Sequence, residues 1–289
     1  MSNDLLSYLL NNQTIRVYEA QTMPFSNQTI SHFALADSLL ADVGQTRQPV
    51  LHIWPTQELV ILGMADTKLP HFGEALSVFQ SYGYDYIVRN SGGLAVVGDE
   101  GVLNFSLIIP DKKEGRLPIN TAYDLMLQLV QEMFREYSGM VEAYEISDSY
   151  CPGDYDLSVN GQKIAGISQR RVKNGLAIMI YISVNGDQTK RASMIKEFYE
   201  QGLQGESVKW TFPDIDPSVM TTVEKAFKMQ LTVEKVVSLL KETLEEKGAA
   251  LSEGVYTETI RDEYDTNFTK MIKRNRQMLG DYVQEEVLK

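Results

Sequence analysis

Asp156-Leu157-Ser158-Val159-Asn160-Gly161-Gln162-Lys163-Ile164-Ala165-Gly166-Ile167-Ser168-Gln169-Arg170-Arg171 is the stretch whose reading decides the fold. Two runs of strand-type residues, 156–159 and 163–168, flank Asn160-Gly161. That dipeptide tolerates the positive φ that a two-residue β-turn demands at both central positions. A further strand-type run, Leu176–Val184, follows and stops at Asn185-Gly186. Upstream, Val50–Trp54 and Glu58–Leu62 predict a hairpin around Pro55-Thr56, and Tyr86–Val88, Leu94–Val97 and Leu103–Ile109 predict strands separated by glycine turns. Helical spacing marks residues 31–43, with Ser31 as N-cap and Gly44 as stop, then 70–82 before Gly83, 121–137 ending near Gly139, and 189–202. From about Asp216 the pattern is helical almost to the end, with long amphipathic stretches over 231–247 and 258–288. Strands dominate the middle and helices the end, which predicts an α+β fold with a helical C-terminal extension.

The bulk numbers narrow the class. The chain has 289 residues, 43% hydrophobic and 23% charged, so a substantial core is available. Its net charge of −12 argues against nucleic-acid binding, which needs a basic face. The start of the chain, Met1-Ser2-Asn3-Asp4-Leu5-Leu6, does not read as a signal peptide, and the longest apolar run is too short to span a bilayer. No membrane partner is expected, and the location expected is the cytoplasm, where a thiol stays reduced.

Three segments carry chemistry. Cys151 is the single cysteine, set in Ser149-Tyr150-Cys151-Pro152-Gly153-Asp154-Tyr155-Asp156, among turn residues rather than core residues. A free thiol with a pKa of about 8.5 is mostly protonated at neutral pH, and a nearby ammonium favours the reactive thiolate. Lys163, across the Asn160-Gly161 hairpin, is placed to supply one. An inert buried cysteine is the competing reading. The second segment is Arg89-Asn90-Ser91-Gly92-Gly93-Leu94, followed by Gly101-Val102-Leu103-Asn104-Phe105-Ser106. Paired glycines let a ligand approach the main chain, and Arg89 with the loop amides can hold a carbonyl or an anion; a plain hairpin turn fits the same residues. It is neither a P-loop nor a dinucleotide fingerprint. The third is Gly166-Ile167-Ser168-Gln169-Arg170-Arg171, where alternation puts Arg170 and Arg171 on opposite faces. The three histidines, His32, His52 and His71, all lie in the first quarter of the chain, and no cluster has metal-ligand spacing.

Together these segments resemble the lipoate and octanoate branch of the lipoate–biotin protein ligase superfamily, over roughly residues 45–230, with 231–289 as the helical extension. The resemblance implies a mixed β-sheet core flanked by helices. Leu94 stands where ATP-using lipoate ligases carry a third glycine, and the Cys151 loop stands where they carry an Arg-Asn-Asp type sequence. A cysteine there marks the transferase members, which pass an acyl group through a thioester without ATP or another cofactor. The residues after Cys151 look most like the members that take octanoate from glycine cleavage H protein and give it to lipoyl domains of 2-oxoacid dehydrogenases. A sister group takes it from acyl carrier protein.

What the resemblance implies residue by residue is Cys151 as nucleophile, Lys163 as the group that favours the thiolate and orients the acyl carbonyl, and Arg89, Ser91, Gly92, Gly93 and Gly166 as the acyl site. Trp54, Leu94, Val96 and Ile164 are candidates for the apolar tunnel, and Arg89, Arg170 and Arg171 for a basic docking rim. Rival readings are an ATP-dependent lipoate or biotin ligase, a non-catalytic carrier-binding protein on the same fold, and an unrelated cysteine hydrolase.

Overall fold

A computed structural model describes residues 5–25, 28–111, 114–136 and 141–288. The first half runs α1 (Leu5–Leu10), β1 (Thr14–Glu19), α2 (Thr29–Thr46), β2 (Val50–Pro55), β3 (Leu59–Leu62), α3 (Phe72–Tyr82), β4 (Asp85–Val88), β5 (Val96–Gly98) and β6 (Val102–Pro110). The second half runs α4 (Ile119–Met133), β7 (Val141–Ala143), β8 (Leu157–Val159), β9 (Gln162–Val172), β10 (Gly175–Ser183), α5 (Gln188–Leu203), α6 (Val223–Phe227), α7 (Val233–Glu246), β11 (Ala250–Glu253) and α8 (Glu258–Leu279). Eight strands form one sheet in the order β11-β1-β2-β6-β10-β9-β8-β7, and three form a small sheet in the order β4-β3-β5. β1 runs parallel to both β2 and β11, while β2, β6, β10, β9, β8 and β7 pair antiparallel. The α+β class with a mixed sheet and flanking helices is as the sequence predicts.

Each face of the large sheet buries its own core. On one side Leu51, Ile53, Phe105, Leu107, Ile178 and Ile180 pack with apolar residues of α1, α4 and α7. On the other, Val50, Trp54, Ile108, Ala177 and Tyr181 join α2, α3, α5, α8 and the small sheet. Residues two apart along β2, β6 and β10 therefore serve the same core, the period-2 rule for a sheet covered on both faces.

Several local expectations change. The hairpin around Pro55-Thr56 does not form. β2 pairs with β1 and β6, whereas β3 pairs with β4 and β5, so this link carries the chain from one sheet to the other. Both strands are buried along nearly their whole length, and each takes neighbours on both sides rather than one hairpin partner. Gly44 does not stop α2, which runs on to a left-handed cap at Arg47 (φ 65°). A Cβ at Gly44 would lie 3.1 Å from the Asn174 amide nitrogen, so this glycine admits the β9–β10 turn against the helix. The helix expected over 121–137 starts at Ile119 and ends at Met133, short of the expected stop near Gly139, which lies outside the described residues. Strand β1 is not among the expected elements, although its buried Ile15 and Val17 alternate with the more exposed Thr14 and Arg16, and β11 interrupts the stretch read as helical.

The Asn160-Gly161 hairpin forms as predicted, with φ of 51° and 80°. Beyond it the register shifts: Ser158 pairs with Lys163, but Leu157 pairs with Ala165. Ile164 is the extra residue of a β-bulge, and such a bulge re-aims the side chains beside it. Lys163 and Gly166, which plain alternation would put on opposite faces, both come to lie beside the Cys151 loop and the cavity next to it.

Candidate active site

The loop carrying Cys151 joins β7 to β8 and is fastened from below by Lys163. This lysine has no solvent exposure. Its ammonium donates to Ser149 Oγ (3.0 Å), to the carbonyls of Tyr150 (3.0 Å) and Cys151 (2.9 Å), and pairs with Asp156 Oδ1 at 2.8 Å. Asp156 Oδ2 accepts the amides of Ile146 and Gly153, both at 3.2 Å. Burial pushes the Asp156 carboxyl up, and the ammonium and amides oppose that push. One buried ion pair thus satisfies polar groups along the whole loop, as buried charges require. It holds Cys151 at a φ of +48°, a left-handed conformation that costs a non-glycine residue about 1–2 kcal/mol.

The thiol points at the turn between β4 and β5. The Leu94 amide lies 3.3 Å from Cys151 Sγ, and Arg89 Nη2 lies 3.6 Å from it. The same Nη2 donates to the Leu94 carbonyl at 2.7 Å, so guanidinium and amide form one donor cradle. Gly93 has a φ of +96°, and a Cβ there would fall 2.4 Å from Arg89 Nη2 and 3.1 Å from Sγ. Only glycine lets this loop lie so close. Gly63 packs against it in turn, since a Cβ at Gly63 would sit 1.9 Å from the Gly93 carbonyl oxygen.

A second buried carboxyl supports that turn. Asp66 Oδ2 accepts the Gly63 amide at 2.7 Å, and Oδ1 accepts the Tyr199 hydroxyl at 2.9 Å. The Tyr199 oxygen accepts the Ala95 amide at 3.4 Å, next to the amide that meets the thiol. Burial pushes Asp66 up to about 6, with the Gly63 and Tyr199 hydrogen bonds working the other way.

Beside Cys151 opens a cavity of about 340 Å³. That is the low end of the range for small-molecule sites. Arg89, Ser91, Gly92, Gly93 and Gly166 all line it with Cys151, and Phe33, Trp54, Ile61, Val96, Phe105 and Met179 supply apolar wall. A Cβ at Gly166 would lie 2.6 Å from Cε1 of Tyr181, so the glycine leaves room for that ring. Trp54 and Val96 are where a tunnel needs them. Leu94 contributes its main chain to the thiol, and Ile164, the bulge residue, is buried in the core on the opposite face of the sheet. Lys163 is not on the cavity wall; its bonds go to the main chain of Cys151.

The remaining candidates are accounted for within the chain. Arg170 pairs with both oxygens of Asp37 and donates to the Asn90 carbonyl, tying the glycine turn to α2. Arg171 bonds Asp111, the Leu117 carbonyl and Gln169. Both guanidiniums are committed to internal partners, as is that of Arg89, so the three do not form a free basic rim. His71 meets Glu206 at the surface, while His32 and His52 face each other at 3.3 Å; burial lowers His32 to about 3 and His52 well below its usual range. Asp66 and Tyr199 have no motif to mark them, being defined by burial and by partners distant in sequence; Asp156 lies within the Cys151 motif, but the motif does not foretell its pairing with Lys163. Among the described residues no group of three His, Cys, Asp or Glu side chains is placed to hold a metal, and no helix is long and apolar enough to cross a membrane.

The profile described as lipoyl protein ligase A/B catalytic domain matches residues 29–245. The chain belongs to this family. A relative from Anoxybacillus flavithermus, named octanoyl-[GcvH]:protein N-octanoyltransferase, is 43% identical over 95% of this chain and 99% of its own. One from Exiguobacterium sibiricum with the same name is 39% identical over 94% and 98%. A Listeria monocytogenes relative, 38% identical over 94% and 98%, is named lipoyl-[GcvH]:protein N-lipoyltransferase. Among solved structures, lipoate-protein ligase A bound with ATP superposes with a TM-score of 0.68 at 17% identity, covering 94% of this chain and 99% of that one. A chain of the bi-partite lipoate protein ligase system of Thermoplasma acidophilum gives 0.64 at 17% identity, over 95% and 98%. At such identities the structures show the fold that this family member shares.

Proposed function

We propose that this chain is an acyltransferase that moves an octanoyl group from the octanoyl-lysine of glycine cleavage H protein to lysines of lipoyl domains of 2-oxoacid dehydrogenase subunits, working in the cytoplasm. The observation that carries the reading is the Cys151 thiol, met by the Leu94 amide and the Arg89 guanidinium, at the wall of a largely apolar cavity. Relatives spanning almost the whole chain carry the matching name.

The Cys151 thiolate attacks the carbonyl carbon of the donor amide, and the C–N bond breaks as the lysine nitrogen leaves with a proton. The acceptor lysine amine then attacks the thioester, expels the thiolate and gives up its proton. An amide is more stable than a thioester, so the first half is uphill, while the whole exchange replaces one lysine amide by another. No ATP and no cofactor is needed. The cradle of Leu94 N–H and Arg89 stabilises negative charge on sulfur. Main-chain groups about Gly166 and the Ser91–Gly93 turn hold the acyl carbonyl, stabilising its oxyanion in the tetrahedral state. Lys163 works through the main chain: it fixes the loop that presents the thiol. The Listeria relative's name supports lipoyl as a second acyl group for the same cavity.

The test is intact-protein mass spectrometry after mixing the protein, without ATP, with octanoyl-H protein or octanoyl-acyl carrier protein. An octanoyl adduct from the H protein, lost in Cys151→Ser, is the expected result. An adduct from acyl carrier protein alone reassigns the donor. No adduct from either, with activity on adding ATP and free acid, overturns the thioester route.

A further inference from the structure

The C-terminal helix α8 reaches the centre from behind. β4 is an end strand of the small sheet, so one edge of it has no strand partner. Asn275, on α8 and without solvent exposure, fills that edge. The Val88 amide donates to Asn275 Oδ1 at 2.7 Å, and Asn275 Nδ2 donates back to the Val88 carbonyl at 3.0 Å. One side-chain amide thus reproduces the two bonds of a missing strand. Further along the same edge, Gln284 accepts the Tyr86 amide at 2.9 Å. One residue before Asn275, Arg274 reaches Met64 Sδ at 3.3 Å, in the segment whose Gly63 and Asp66 brace the Gly93 turn.

Val88 is the residue before Arg89, and the Arg89 amide closes the β3–β4 ladder on the Leu62 carbonyl at 3.0 Å. The main chain at the root of Arg89 is therefore clamped from both sides, by β3 on one edge and by Asn275 on the other. We propose that Asn275 is a positioning residue for the Cys151 centre: by completing the edge of β4 it fixes the point from which the Arg89 guanidinium reaches the sulfur. This rests on the reading of Cys151 as the reacting group. It gives the last helix a role in the site, not only in the core that it forms with α2. The clamp also agrees with the economy of buried polar groups: without Asn275, two main-chain groups of Val88 lose their partners, and the strand end shifts to regain them.

The experiment compares alkylation of the single thiol by anionic iodoacetate and neutral iodoacetamide, in the absence of any acyl donor. A guanidinium beside the sulfur attracts the anion, so the ratio of the two rates reports where Arg89 is. The expected result is a ratio about threefold to tenfold lower in Asn275→Leu than in the parent protein, with no further drop when Asn275→Leu is added to Arg89→Ala. Asn275→Ser, a milder change, gives the same direction, and Gln284→Leu, farther from Arg89, leaves the ratio unchanged. An unchanged ratio in both Asn275 variants overturns the proposal. So does a drop that recurs undiminished in the Arg89→Ala background, or a parent ratio equal to that of Arg89→Ala. Loss of the octanoyl adduct with these ratios intact would remove the transfer reading and leave the positioning role standing.

Discussion

Replacing Lys163 by Met is the perturbation that bears most directly on how the site is built. The methionine keeps the length and most of the volume of the stem but removes the ammonium. Four acceptors then lose their donor at once: Ser149 Oγ, the Tyr150 and Cys151 carbonyls, and Asp156 Oδ1, all within 3.0 Å of Nζ. Breaking a fully buried ion pair from one side costs about 3–5 kcal/mol, because the remaining charge is left unpaired. Asp156 escapes part of that cost by taking a proton, since burial already pushes its carboxyl up. The single variant is therefore destabilised by about 3 kcal/mol at neutral pH and by less as pH falls. The double variant Lys163→Met with Asp156→Asn removes both charges while keeping an oxygen to accept the Ile146 and Gly153 amides, and it restores at least half of the loss. Urea unfolding of the parent, both single variants and the double variant measures this cycle. The octanoyl adduct, read by mass under conditions where each variant is folded, should be lost in the single variant and not regained in the double. Stability is recoverable by an uncharged pair, but the left-handed Cys151 is not held by one. A cost below about 1 kcal/mol for Lys163→Met would refute the argument. So would an adduct formed at the parent rate, which would mean that the loop needs no clamp.

Asp66 predicts a pH effect. Its folded value of about 6 lies above the ordinary 3.8, so the native state holds this proton more tightly than the unfolded chain. The contribution is full below about pH 4 and is lost as pH rises through 6, a change of about 3 kcal/mol; the stability difference between parent and Asp66→Asn should shift by that amount between pH 4 and 7 in urea titrations, and a flat difference would dismiss it. Gly93→Ala puts a methyl 2.4 Å from Arg89 Nη2 at a φ of +96°, and the adduct rate should fall on the order of a hundredfold while the far-UV spectrum is unchanged. Gly166→Ala sets a methyl 2.6 Å from the Tyr181 ring; acyl chains should be accepted more slowly as they lengthen, and equal rates for butanoyl and octanoyl donors would show that Gly166 does not shape the cavity.

What could be read from the sequence follows the range of the interaction. The Asn160-Gly161 turn is legible because its two central residues must adopt positive φ, a demand that the dipeptide itself meets. The gathering of Cys151, Ser91, Gly92, Gly93 and Gly166 about one cavity is legible through the family resemblance, and two of its members, Cys151 and Gly93, take a positive φ. The aim of Lys163 is not. Its distance across a hairpin puts it near the Cys151 loop, but a bulge at Ile164 and the burial of Asp156 decide that its ammonium meets carbonyls rather than sulfur. The pairing of β1 with β11, Thr14 opposite Ala250, leaves no local trace either, since a four-residue edge strand with exposed ends shows no alternation. The link at Pro55 misleads for a related reason: two apolar runs a few residues apart look like a hairpin unless each is buried on both edges by strands from elsewhere.

The centre lies where two sheets meet, and neither alone contains it. The large sheet supplies the thiol, through the β7–β8 loop and the buried Lys163–Asp156 pair. The small sheet supplies the donors, through Arg89, Leu94 and the Gly93 turn, braced by Asp66 on one flank and Asn275 on the other. Each half spends a buried carboxyl or amide on main-chain groups rather than on the reacting atoms. The sulfur itself meets only the Leu94 amide at 3.3 Å and Arg89 Nη2 at 3.6 Å, ordinary lengths for a sulfur acceptor, while the frame around it is held by bonds from 2.7 Å at the Leu94 carbonyl to 3.2 Å at Asp156. With both the thiol and its donors fixed by their own sheets, the proposed exchange would find the site already organised for each of its halves.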